Sequence, residues 1–162
     1  MTEVRVAIVD VYVLRFGDGA GRTGREEPQV LVLRRAPGLR SPGTWESVHG
    51  HIAPGETPVE AARRELREET GLDPVRLYNL SRVESLYLHR RDLLALSPAF
   101  CAVVAPDAAV RTAVEHDLSE WVAPAEAERR LFWPRERRAL ADVMELFAGG
   151  DAGGAEDVLR IF

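Results

Sequence analysis

The first apolar run of the chain, residues 4–16, is rich in β-branched and aromatic side chains and predicts one long central strand. Residues 17–28 are glycine-rich and polar, which suits a hairpin loop, and 29–35 returns as a second strand ending in Arg34 and Arg35. Two prolines and two glycines make 36–44 a loop, and Trp45 to His49 leads straight into Gly50. The period then changes to that of a helix. Thr57 and Glu60 have the spacing of a capping box, Pro58 falls at the first helical position, and Gly71 is the left-handed terminator, so a helix is predicted over 58–70. On it Val59, Ala62, Leu66 and Thr70 share a stripe that can bury against a sheet. Beyond the helix, 74–91 alternates imperfectly and predicts one or two strands, 92–98 a turn or loop, 99–105 a fully buried strand, and 110–122 a strand around a polar centre. Two helices follow, over 125–131 and from Pro134 to about 148, the second with an apolar stripe through Ala139, Leu140, Val143, Met144 and Phe147. Residues 149–154 break it. The apolar end, 158–162, is expected either to dock on the domain or to bridge to another subunit.

At 162 residues the chain can bury one sizeable core, and no internal repeat or second domain is visible, so one domain over 1–148 with a glycine-rich tail over 149–162 is expected. No stretch is apolar enough to span a membrane, and the opening residues lack the series of regions that marks an export signal. The single cysteine, Cys101, cannot form an internal disulfide, and the expectation is a cytoplasmic protein. A formal charge of −5 opposes bulk affinity for nucleic acid, although a local basic patch can still hold a small anion. Every basic residue is arginine, which excludes a Schiff-base lysine and a lysine-bearing phosphate loop.

The candidate chemistry lies on the predicted helix. Glu65 and Glu69 stand one turn apart with Glu68 beside them, and such crowding destabilises a helix unless something cationic offsets it. Mg²⁺ is held by one or two carboxylates, together with waters and substrate phosphates. Arg63, Arg64 and Arg67 also stand among the acids, as they would on an ordinary charged surface helix. The wider spacing separates the two readings. Gly50, five residues, Glu56, seven residues, then Arg64 through Leu72 (RELREETGL) matches the signature of the Nudix hydrolases at each fixed position, and the chain is identified as a member of that family.

That resemblance implies an α/β chain with the Nudix fold, an α/β/α sandwich around a mixed sheet with the helix of the motif on one face and the C-terminal helices on the other. It implies a site for Mg²⁺, with Mn²⁺ as the substitute, built from Glu56, Glu65, Glu68, Glu69 and the Gly50 carbonyl. Arg64 is expected to orient the glutamates by salt bridges. Glu68, or Glu115 in the Glu-His pair before the last strand, is the expected general base, with Glu115 also a possible extra ligand. Outside the motif the segments 45–50 and 114–122 and the pair Phe132 and Trp133 resemble the dihydroneopterin triphosphate and dNTP pyrophosphohydrolases, with His49 where a small hydroxyl residue is usual. By that likeness Arg5 and one of Arg34 or Arg35 grip phosphates or the base, His49 lines the pocket, and Trp133 or Phe132 walls an aromatic ring. The implied reaction is attack of water on phosphorus in a nucleoside-triphosphate-like substrate, giving monophosphate and pyrophosphate, by a monomer or homodimer. Tyr87 keeps dinucleoside polyphosphates open as the alternative. Leu86 to Leu88 stands where ADP-ribose hydrolases tend to carry a proline, and a non-catalytic nucleotide sensor would be expected to have lost its glutamates.

Overall fold

The computed structural model describes residues 1–17, 27–147 and 149–162, so most of the loop expected over 17–28 lies outside them. The elements are β1 (Glu3–Val6), β2 (Ile8–Arg15), β3 (Gln29–Arg35), β4 (Trp45–Glu46), β5 (Val48–His51), α1 (Pro58–Thr70), β6 (Arg76–Leu88), β7 (Leu93–Val103), β8 (His116–Val122), α2 (Pro124–Arg130), α3 (Pro134–Phe147) and α4 (Glu156–Leu159).

β7 organises the mixed sheet. On one edge it pairs in parallel first with β1 (Glu3↔Leu93) and then with β2 (Asp10↔Ala99), and on the other it pairs antiparallel with β6. β2 pairs with β5 through its first half and with β3 near its end, and β3 continues to β4 and β8. The two-residue period of β2 divides the layers. Val9, Val11 and Val13 face Ala61, Ala62 and Leu66 of α1, while Tyr12 and Leu14 face Ala139, Leu140, Val143 and Phe147 of α3. The result is an α/β/α sandwich in which both faces of the central strands are dry.

Three expectations are corrected. The strand expected over 4–16 is interrupted at Ala7, where the chain leaves the edge strand β1 for the buried β2. Residues 92–98 are not a loop beyond Asp92, because Leu93, Ala95 and Ser97 alternate into the interior as the first half of β7. Pro98 is tolerated there because it sits where the β6 register shifts, between Asn79 and Val83. That shift, with Ser81 at φ 52°, also explains the failing alternation of 74–91, which is one bulged strand. The strand expected from 110 begins only at His116. The residues before it run along the end of α1, where Arg111 and Ala113 donate their backbone N–H groups to the carbonyls of Thr70 and Glu69.

The apolar end docks on this same chain. Ile161 donates its N–H to the Leu77 carbonyl at 2.8 Å, Leu77 donates to the Phe162 carbonyl at 3.2 Å, and the Arg63 guanidinium stands 4.9 Å from the centre of the Phe162 ring. Among the described residues no helix is long and apolar enough to cross a membrane.

Candidate active site

α1 begins as its sequence predicts. The Thr57 hydroxyl accepts from the Glu60 N–H, the Glu60 carboxylate accepts from the Thr57 N–H at 2.8 Å, and Gly71 closes the helix at φ 71°. Residues 50–57 cross from β5 to this cap. Gly50 pairs with Val9, so its missing side chain opens toward α1, and the Glu65 carboxylate fills that space. Glu56 accepts from the Ala53 N–H and from Arg64, which donates through Nε at 2.8 Å and a second nitrogen at 2.9 Å. Arg64 also donates to Glu65 at 2.7 Å, to Glu68 at 3.1 Å and to the His51 carbonyl at 2.8 Å. Its pKa is held above the ordinary guanidinium value first by Glu56 and then by Glu65. Glu56 in turn is pulled down to about 2, chiefly by Arg64. One guanidinium thus ties three carboxylates to the loop.

Glu69 is placed differently. It is buried on the sheet side of α1, and its Oε2 has no hydrogen-bond partner. Burial and the charges of Glu65, Glu115 and Glu46 push its pKa up to about 9, with a hydrogen bond from the His49 backbone acting the other way. Beside it lies a second buried cluster. The Glu46 carboxylate is 2.9 Å from His116 Nε2, accepts from Arg35 at 2.9 Å, and has His49 Nδ1 3.9 Å away. His116 Nδ1 faces Glu69 Oε2 at 3.9 Å. Burial acts to raise the Glu46 pKa, but His116, His49 and Arg35 together outweigh it and the net direction is down. On the opposite face Glu136, in the first turn of α3, accepts from both the N–H and the hydroxyl of Ser47, at 2.9 and 2.8 Å. That pins the link between β4 and β5, and with it the run from His49 to Gly50.

The candidate residues fall into two sets. Glu56, Arg64, Glu65, Glu68, Glu69 and Gly50 gather at α1. Glu115 joins them on the exposed segment just before β8, close enough that its charge raises the pKa of both Glu65, after burial, and Glu69. The substrate-binding candidates are more dispersed. Arg34 is held by Asp117 in a two-bond fork at 2.8 and 3.0 Å, and Arg35 is committed to Glu46 and to the Arg40 carbonyl. Trp133 is 40% exposed, edge-on to Phe132 at 4.9 Å, with the Arg135 guanidinium 5.4 Å over its ring. Arg5 lines a cavity of about 440 Å³ together with Ile8, His51, Glu56, Leu88 and Arg91, so it borders the motif loop from the side of β1. Sequence reasoning missed Glu46 and His116 as members of the site. Their only signal was an acid in a strand between Trp45 and Ser47 and a histidine next to Glu115.

The donor set suits a divalent cation. A divalent ion would displace the proton that Glu69 holds among its acidic neighbours and meet its unpartnered Oε2, and the space over Gly50 lets Glu65 reach the β5 backbone. Among the described residues no three of these side chains already converge as ligands, because Arg64 holds Glu56, Glu65 and Glu68.

The chain is 39% identical over 115 residues to an octanoyltransferase of Myxococcus xanthus, covering 65% of this chain and only 29% of that protein. It is 31% identical over 101 residues to the asymmetrical bis(5'-nucleosyl)-tetraphosphatase of Rattus norvegicus, covering 61% of this chain and 67% of the relative. The solved dihydroneopterin triphosphate pyrophosphohydrolase of E. coli superposes with a TM-score of 0.61 at 23% identity, covering 86% of this chain and 95% of the other, and so shares the fold. The description "NUDIX domain" matches residues 9–143, most of the chain including the whole 50–72 motif, and the protein belongs to the Nudix family.

Proposed function

We propose that this chain is a divalent-metal-dependent pyrophosphohydrolase that cleaves a nucleoside-triphosphate-like substrate to a monophosphate and pyrophosphate. The observation that carries the reading is the buried Glu69 carboxyl, with Oε2 unpartnered and Glu65, Glu115 and Glu46 crowding it, at a point where a bound cation would take the place of the proton that otherwise relieves the crowding. Mg²⁺ or Mn²⁺ bound by Glu56, Glu65, Glu68, Glu69 and the Gly50 carbonyl, with Glu115 as a further ligand, would neutralise charge on phosphoryl oxygens. Arg64 holds the carboxylates in register, and Glu68 or Glu115 takes the proton from the attacking water. Both are exposed and can reach a solvent molecule. His49 lies one residue from the Gly50 carbonyl and lines the substrate side, while Arg5, Arg34 or Arg35 and Trp133 serve the phosphates and the ring. The lone, buried Cys101 is consistent with work in the reducing cytoplasm.

A second reading, hydrolysis of dinucleoside polyphosphates, is favoured by the 440 Å³ cavity beside Glu56. Its lining combines Arg5, His51 and Arg91 with apolar Ile8, Ile52 and Leu93, which suits a second nucleoside. The test is incubation of the pure protein with dihydroneopterin triphosphate, the dNTPs and diadenosine tetraphosphate, each with Mg²⁺ or Mn²⁺. Pyrophosphate from a triphosphate supports the first reading and ATP plus AMP from the tetraphosphate the second. No turnover of any of them would overturn both.

A further inference from the structure

We propose that two copies of this chain join through β1 in an antiparallel two-fold pairing centred on Val4. β1 ends the sheet, and among the described residues no strand pairs its outer edge. Its odd residues face β7, since Glu3 donates to the Asp92 carbonyl and Ala7 to the Leu96 carbonyl, at 3.1 and 3.0 Å. The N–H and C=O groups of Val4 and Val6 therefore point outward. Such an edge is a template for another strand, and proteins commonly blunt it with lysine, proline or a bulge. β1 has no lysine, proline or bulge, but it is four residues long and carries Glu3 and Arg5, so a pairing strand must match those two charges.

The phase of the edge selects the register. A two-fold axis between antiparallel strands that meet at outward-facing groups can pass through Val4 or Val6, at a hydrogen-bonded pair, or through Arg5, at a non-hydrogen-bonded one, and centring on Arg5 sets the two arginines directly against each other. Centring on Val6 sets Arg5 against Ala7 and gains no charge pairing. Centring on Val4 sets Glu3 of each copy against Arg5 of the other, and the two valines exchange both backbone hydrogen bonds. Within one copy Glu3 and Arg5 already lie 3.5 Å apart on the same strand face, and both are exposed. Pairing converts them into an alternating ring of four charges. The other face adds apolar contact. Val4, 61% exposed, forms one cross-strand row with Leu94 and Tyr87, itself 59% exposed, and the axis joins two such rows through their valines. The N-terminal end of each partner strand then meets Val6 at the lip of the cavity beside Glu56.

Sedimentation across a wide concentration range tests this. The wild-type chain is expected to pass from 18.0 kDa to twice that mass as concentration rises. Val4→Pro removes only an outward N–H and is expected to stay monomeric with an unchanged circular dichroism spectrum. Glu3→Arg alone and Arg5→Glu alone set like charges opposite each other and are expected to be monomeric. An equimolar mixture of the two, and the double variant Glu3→Arg/Arg5→Glu, restore every opposite-charge pair and are expected to recover the doubled mass. A wild type that stays at 18.0 kDa throughout, single variants that associate like the wild type, or a mixture that remains monomeric would each overturn the proposal.

Discussion

Gly50 and Glu65 occupy one another's space: a Cβ on Gly50 would stand 2.0 Å from the Glu65 carboxylate carbon. The atom it meets is the far end of a flexible side chain, so Gly50→Ala is expected to fold with an unfolding transition close to that of the parent. Glu65 would have to swing away, and a displacement of about 1 Å in a catalytic group costs ~10²-fold in rate. Calorimetric titration with Mn²⁺ and steady-state hydrolysis should show both metal affinity and turnover falling. A variant as active as the parent would mean that Glu65 does not act from this position.

Glu69→Gln should stabilise the metal-free chain. The folded state raises the Glu69 pKa from 4.5 to about 9, so folding takes up a proton and the carboxyl costs progressively more stability as pH rises from 4.5 toward 9. The variant's advantage should be small at pH 5 and several kcal/mol at pH 8, measured by urea unfolding in chelator. Added Mn²⁺ should stabilise the parent and leave the variant unmoved.

Arg64→Met should release Glu56 and Glu65 from the loop and lower turnover by roughly 10²-fold. Its effect on stability should depend on pH. Glu56 is lowered from 4.5 to about 2 by Arg64, so its contribution is whole above pH 4.5 and is lost as pH falls toward 2. Parent and variant should therefore differ most near neutrality and converge in acid, as followed by thermal unfolding between pH 2 and 6.

Removal of Ile161 and Phe162 takes two backbone hydrogen bonds from Leu77 and the ring under Arg63. The expected cost is about 1–3 kcal/mol in urea unfolding, with turnover per folded molecule unchanged, because none of these contacts reaches the carboxylates. A loss of turnover without a loss of stability would give the tail a part in catalysis.

Cys101 is fully buried, and burial pushes its thiol pKa up. It should resist thiol reagents in the native state and react in a single phase once the chain is unfolded in urea.

Much of the site was legible because its spacing is local. The capping box, the Gly71 stop and the Arg64 bridges all connect residues within one helix and the loop before it, and short-range chemistry writes them directly into the sequence. Glu46 and His116 were not legible, because they meet only through the antiparallel pairing of β3 with both β4 and β8. Arg34 and Arg35 looked like free cations at a strand end. Their partners Asp117 and Glu46 come from other strands, and nothing in a pair of arginines announces that. The first half of β7 was hidden by Ser97 and Pro98, residues that usually end strands. Here Ser97 finds Asp10 in the interior at 2.7 Å, and Pro98 sits beside a register shift.

The parallel pairing of β2 with β7 has a consequence for assembly. Asp10 lies against Ala99, and the whole 50–72 motif falls in the sequence between them. A nascent chain that has just emerged with α1 complete still lacks the strand on which β1 and β2 must settle, and closing so long a segment is slow. Translation stalled after residue 72 should yield a protease-sensitive intermediate, and its capture of divalent ions should wait for the ribosome to release residues 93–103.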